Sequence, residues 1–217
     1  MSKPYSHADL SDQLDRDLTW RLREFSDLKA AIRAADRAGR RTLLRALIAL
    51  IYAHWEGYVK ACASKYFQHI ALRRFSYDEL QRQFYLNAFL MKMDNFYKSK
   101  ASISSKCHFL DQVLDSRGER FSQINNALVD TKSNLSIEVL RDICQVCAIP
   151  VEDFVAHETF LNVIVLKRRN EIAHGEEVYL EEDEIDDIID RIIGLMRTFR
   201  NLLENKVTQR AYLIASV

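Results

Sequence analysis

LLRALIALIYAHWEGYVKACASKYFQHI, residues 43–70, decides how the rest of the chain is read. Leu43, Leu44, Leu47, Ile48, Ile51, Trp55, Tyr58, Val59, Cys62, Tyr66 and Ile70 recur at helical spacing, yet they cover more than one stripe. A helix that is apolar nearly all round sits inside a bundle, with neighbours on several sides. The spacing therefore predicts a central helix over residues 40–72. Its most apolar run, Leu43 to Ala53, is broken by Arg45 and is too short to span a bilayer.

The flanking sequence agrees. The 217 residues include only five glycines and two prolines, and strands joined by tight turns normally need more of both. Leu14, Leu18, Phe25, Leu28, Ile32 and Ala35 predict a long helix over 8–36, with Gly39 as the break after it. Ser76 with Glu79 reads as a capping box opening a helix through Leu90 and Met93 to about Tyr97. Residues 98–106, KSKASISSK, read as a loop, with a short helix near Phe109 to Leu114. TKSNLSIEVL reads as a helix start capped by Ser133 or Asn134, and that helix stops before Pro150. In FVAHETFLNVIVLKRRNEIAHG (154–175), Phe160, Val163, Ile164 and Leu166 supply an apolar side and Gly175 a C-terminal stop. A last helix begins near EEDEIDD and buries Ile185, Ile188, Ile189, Ile192, Leu195, Met196, Phe199 and Leu203. The fold class is all-α: a bundle of four to five main helices with extra short ones, in a single domain over 1–217.

Composition narrows the function classes. There are 31 basic and 31 acidic residues, so any nucleic-acid contact must come from a local patch rather than a bulk basic footprint. The N-terminal segment lacks the apolar core of a signal peptide, and a cytoplasmic protein with no membrane association is expected. No GxG occurs, which excludes a P-loop and a dinucleotide fingerprint, and no GxSxG elbow occurs. His157-Glu158 starts like a zinc-protease motif, but Leu161 stands where the second histidine would be. Cys144 and Cys147 form a lone C-x-x-C on one helix face with Leu140 and Ile143, a core pattern rather than a metal site. The nine carboxylates from Glu176 to Asp190 read as a solvated loop and helix start. No metal and no cofactor is predicted.

One segment carries chemistry: LKRRNEIAHGEE, residues 166–177. At about 100° per residue, Asn170 and His174 stack on one helix face, while Arg169 is offset from His174 by roughly 140° and must reach back. Histidine moves protons near neutral pH, arginine grips phosphate oxygens with paired donors, and asparagine orients either an imidazole or a phosphate. Together they suit cleavage of RNA by its own 2′-hydroxyl. A plainer reading stands beside this one. Lys167, Arg168, Arg169 and His174 near a helix C-terminus are each stabilised by the dipole by ~0.3–1 kcal/mol.

The arginine, the asparagine directly after it and the histidine four residues later, on the penultimate long helix of an all-helical chain, resemble the motif of the HEPN superfamily. LIALIYAHWEGYVKACASKYF resembles the central helix of MAE-type HEPN-like nucleases, and TKSNLSIEVLRDICQVCAIPVEDF resembles the segment upstream of the motif in that branch. The resemblance runs from about residue 40 to about 200. It implies a homodimer with two copies of the motif in one cleft. It also implies metal-independent endoribonuclease activity, as in toxins and antiviral effectors, with RNA and an antitoxin protein as partners. Carried over, Arg169 holds the scissile phosphate, His174 moves protons and Asn170 positions one of them; Arg168 and Lys167 bind substrate. Arg168 satisfies the spacing as well as Arg169 does, so which of them faces the cleft stays open. Some HEPN proteins paired with a nucleotidyltransferase carry a tyrosine two residues after the histidine. Here that position is Glu176 and the nearest tyrosine is Tyr179, which argues against that branch.

Three secondary expectations follow. Glu56, among apolar neighbours on the central helix, pairs with Lys60 or hydrogen-bonds into the cleft. Arg33, Arg37, Arg40 and Arg41 either line the cleft or form a solvated face. The alternative functions are a non-catalytic HEPN module that binds RNA, nucleotide or a partner protein, and a structural bundle in which Arg169 is salt-bridged to the acidic run after Gly175.

Overall fold

The computed structural model describes residues 3–98, 101–122, 126–179 and 182–214. Helices α1 (His7–Ala34), α2 (Arg37–Ala71), α3 (Arg82–Lys98), α4 (Ile103–Asp115), α5 (Ile137–Cys147) and α6 (Glu152–Val155) follow one another. A π-helical segment, Phe160–Lys167, then runs straight into α7 (Arg168–Ala173), and α8 (Glu182–Thr208) follows. The only bridges among the described residues are two isolated ones, Ser76 with Arg120 and Leu80 with Leu213. The all-α expectation is borne out. The longest helical runs are α1, α2, α3, the π–α7 run and α8, with α4, α5 and α6 as shorter pieces.

α2 is central, as its all-round apolar pattern requires. It packs against α1, α8, α7, the π segment and α5. Trp55, Tyr58, Tyr66 and Phe67 on it are fully buried. Burying such a side chain contributes ~1.5–3 kcal/mol, so neighbours on several sides are the only way to satisfy this helix. An aromatic column ties the layers together: Trp55 of α2 meets Phe154 of α6 at 6.4 Å, and Phe154 meets Phe199 of α8 at 6.1 Å. All eight apolar positions expected on α8 are buried. Cys144 and Cys147 are buried with Leu140 and Ile143, and burial pushes both thiols up, Cys144 to about 12. That is core chemistry.

α1 and α2 are joined by a buried polar cluster. Arg21 is 7% exposed; its Nε donates to Asp17 at 3.0 Å and its Nη1 to His54 Nδ1 at 3.2 Å. His54 Nε2 lies 2.8 Å from Glu24. Gly57 makes room for this guanidinium, because a Cβ there would stand 3.0 Å from Arg21 Nη1.

Several boundaries differ from expectation, each for a local reason. Ser76 and Glu79 do hydrogen-bond, the Ser76 N–H donating to Glu79 at 2.8 Å, but no helix starts there. The amides of Tyr77, Asp78 and Gln81 donate to Glu119, Arg117 and Tyr212 instead, which holds a turn until α3 opens at Arg82. The expected loop at 98–106 is mostly helix: Ser102 accepts the Ser105 N–H at 3.2 Å and caps α4, and positions 99 and 100 lie outside the described residues. α5 is capped by Ser136, not Ser133 or Asn134, because Lys132 and Ser133 take φ of 53° and 60° in a turn before it. Gly39 lies inside the first turn of α2, where its N–H donates to the capping Asp36 at 2.8 Å. Val163 is 46% exposed, while Leu161 and Val165 are buried, since π winding turns a different face to the core.

Candidate active site

The motif is set up by a change of helical pitch. The π segment ends at Lys167 and ordinary α winding carries Arg168–Ala173. Such π turns recur at functional sites because they rotate the following residues to a new face. Upstream, Asn162 Oδ1 accepts the Ile137 N–H at 3.0 Å, tying the segment to the start of α5.

The helix then stops abruptly. His174 is the C-cap, Gly175 takes φ +82°, and two reversed hydrogen bonds close the end: Gly175 N–H to Ile172 O at 3.1 Å and Glu176 N–H to Glu171 O at 2.9 Å. This is a Schellman ending, and glycine meets its left-handed position without a Cβ penalty. The segment beyond it is clamped by the first turns of α2. Arg45 Nη1 donates to the Glu176 carbonyl at 2.6 Å, Arg41 pairs with Glu177, and the Arg41 guanidinium lies 4.8 Å from the Tyr179 ring centre. His174 is thus an exposed imidazole on a fixed backbone corner.

The two arginines part ways. Arg169 lies over the Tyr52 ring of α2 with its guanidinium carbon 4.5 Å from the centroid. Its Nη1 donates to Asn170 Oδ1 at 2.7 Å, and its Nη2 reaches the Ser133 carbonyl at 3.5 Å. Arg168 instead pairs with Glu184 of α8 at 2.6 Å. Of the two, Arg169 is the one that shares a cluster with Asn170, and the structural alternative's salt bridge to the acidic run falls to Arg168. The expected substrate-binding role of Arg168 meets this competing ion pair. Lys167, also expected to bind substrate, is exposed and lies 3.7 Å from the half-buried Glu171 at i,i+4, a weak tie at ~0.3–0.5 kcal/mol. The Asn170 side chain accepts from Arg169 and so positions the guanidinium.

Tyr52 was read only as part of an apolar segment, and it is the residue that the sequence reading missed. Its hydroxyl accepts the Leu135 N–H at 2.6 Å. Burial pushes the Tyr52 phenol up to about 12; the Glu56 charge adds to the rise, while the Leu135 N–H and Arg169 oppose it. The phenol is therefore neutral, and its ring is a firm platform for a cation. The only legible signal was Glu56 four residues on, one helical turn away. Glu56 does not take the expected Lys60 pairing as its place: Lys60 lies 3.9 Å from Asp130. Of the four basic residues offered as cleft lining, Arg33 and Arg37 are exposed, Arg40 is half-buried, and Arg41 is committed to the clamp.

The cluster can hold an anion against Arg169, whose guanidinium is held by a ring and an amide, while His174 is exposed at the end of the same helix. Among the described residues, no helix is long and apolar enough to cross a membrane. Residues 16–205 match the family model described as RiboL-PSP-HEPN. The match supports the HEPN superfamily expected from the motif. No match was found among curated proteins or among solved structures.

Proposed function

We propose that this chain, which belongs to the RiboL-PSP-HEPN family, is a metal-independent RNA endonuclease, a reading supported by the nuclease or RNA-related function that a HEPN family suggests. The observation that carries the reading is the fixing of Arg169 between the Tyr52 ring and Asn170, with His174 exposed at the end of the same helix. A guanidinium held in plane presents paired donors to two phosphate oxygens without first having to order itself.

In the proposed reaction the scissile phosphate lies against Arg169. One His174 imidazole takes the proton of the RNA 2′-hydroxyl. The 2′-oxygen bonds to phosphorus, the bond from phosphorus to the 5′-oxygen breaks, and the departing oxygen takes a proton from a second imidazole. The products are a 2′,3′-cyclic phosphate and a 5′-hydroxyl. One motif supplies one histidine, so the acid and the base together call for two copies of the chain facing each other in a homodimer. Arg169 offsets the charge gathered on the phosphate, and Asn170 positions Arg169. A toxin or antiviral role in the cytoplasm, with an antitoxin among the partners, belongs to the same proposal and rests on family membership alone.

The test is cleavage of labelled total RNA and tRNA in EDTA by wild type, Arg169→Ala and His174→Ala, with folding and assembly state matched across the three. Cleavage by wild type alone, leaving cyclic phosphate ends, is the expected result. Equal cleavage by all three, or none by any across several RNAs, sinks the catalytic reading and leaves an RNA-related binding module.

A further inference from the structure

α4 buries none of its residues. Ile103 is 80% exposed, Leu110 57% and Leu114 71%, and Cys107 is exposed with them. At about 100° per residue these four fall within roughly 60° of the helix circumference, one narrow apolar seam. A different side of α4 holds it to the body. Phe109 stacks on Phe96 with centroids 5.0 Å apart and meets Phe89 at 6.1 Å, and the Tyr85 hydroxyl donates to the Val113 carbonyl. That side is roughly 120° round from the seam, so the seam faces outward with nothing on it.

The spacing within the seam is four, three, four. That is the alternation of a coiled-coil interface, with Ile103 and Leu110 at d positions and Cys107 and Leu114 at a positions. The same register puts Lys106 at g and Asp111 at e, five residues apart and flanking the seam. Both are exposed, and neither has an ion-pair partner among the described residues. In a parallel pair of identical helices, g of one copy meets the following e of the other, so Lys106 faces Asp111 twice about a two-fold axis. In a fully overlapped antiparallel pair g meets g and e meets e, so Lys106 would lie near Val113 and Asp111 near Ser104 of the other copy, and neither would meet an opposite charge. The Lys106–Asp111 pairing thus favours a second copy of this helix in the parallel arrangement.

We propose that α4 is a self-association surface, pairing in parallel with α4 of a second copy of this chain through the Ile103–Cys107–Leu110–Leu114 seam. This surface is independent of the RNA-cleavage reading. A 13-residue helix is about 20 Å long, and a seam of that length is smaller than a stable protein interface. Association through it is therefore weak and concentration-dependent.

Sedimentation velocity on the full chain over a wide concentration range tests the proposal. Wild type is expected to show a self-association step that Leu110→Glu removes, with circular dichroism unchanged because the site is exposed. Lys106→Asp and Asp111→Lys each place like charges across the axis and weaken that step roughly several-fold; the double reversal restores it. Mild oxidation with diamide, which takes up the two electrons and two protons of a thiol pair, is expected to link the copies through Cys107 and to fail in Cys107→Ser. A wild type that shows no such step, a Leu110→Glu chain that associates like wild type, or a double reversal no better than the single ones would each overturn the proposal.

Discussion

The Arg169 guanidinium rests 4.5 Å above the centre of the Tyr52 ring, so the central helix builds the floor on which the motif arginine lies. Two parts of Tyr52 do separable work. The ring carries Arg169, and the hydroxyl satisfies the Leu135 N–H. Tyr52→Phe keeps the floor and orphans a buried donor, so it should cost ~1–3 kcal/mol of stability while RNA cleavage stays near wild type. Tyr52→Leu removes the cation–ring contact, and cleavage should fall by roughly 2- to 30-fold. Melting curves and initial rates on the two variants check this; equal rates in both would remove the floor from the mechanism.

Asn170 accepts from Arg169 at 2.7 Å, which gives its substitutions an order. Asn170→Ala loses one hydrogen bond to a charged group and leaves the guanidinium free to bind phosphate from a looser position. Asn170→Asp strengthens the contact and neutralises the very charge a phosphate needs. The expected ranking of cleavage rates is wild type, then Asn170→Ala, then Asn170→Asp, with roughly tenfold between neighbours. Steady-state kinetics at fixed salt decide it, and an aspartate variant as fast as the alanine one contradicts the positioning role.

Gly175 holds φ +82° at the helix end. Alanine there meets no neighbour within 4 Å, so its cost is purely conformational, ~1–2 kcal/mol. For a chain of this size that lowers the melting temperature by roughly 2–8 °C. Because His174 is the adjoining cap residue, cleavage should fall as well. Hydrogen exchange at Glu176 and Glu177 should speed up. Unchanged exchange there would mean that Arg45 and Arg41 hold the segment without the glycine.

Acid should destabilise this fold before its carboxylates titrate. His69 is fully buried, with Nδ1 2.8 Å from the Pro4 carbonyl. Burial holds its imidazole down to about 4, only partly offset by the Pro4 contact. His54 is also held low, first by burial and then by the Arg21 guanidinium, with Glu24 pulling the other way. An unfolded histidine takes up its proton near 6.5 and the folded ones do not, so the unfolded state binds more protons in this window. Stability is then full above about pH 6.5 and declines as pH falls toward about 4. Melts across that range should show the slope, and His69→Leu should flatten it. A flat profile in the wild type would show that neither histidine stays neutral in the fold.

Much of this protein follows from the sequence taken alone. Side-chain periodicity is a local property, and it was enough to identify α2 as central, the buried face of α8 and the core role of Cys144 and Cys147, while the motif from Arg169 to His174 was legible through its resemblance to a known family. Boundaries were less legible where backbone groups found partners far along the chain: Tyr77 and Asp78 donate to Glu119 and Arg117, which turns an apparent helix cap into a turn. The site was legible only along its own helix. Tyr52 and Arg169 are 117 positions apart in sequence, and no spacing rule relates them. The division of labour between Arg168 and Arg169 depends on the π winding before them, on Glu184 of one neighbouring helix and on Tyr52 of another. Sequence determined which groups the motif contains, because residue type and helical pitch are local. Tertiary structure alone decided which arginine is held and what holds it, because a cation's partner is set by whatever packing brings within a few ångströms.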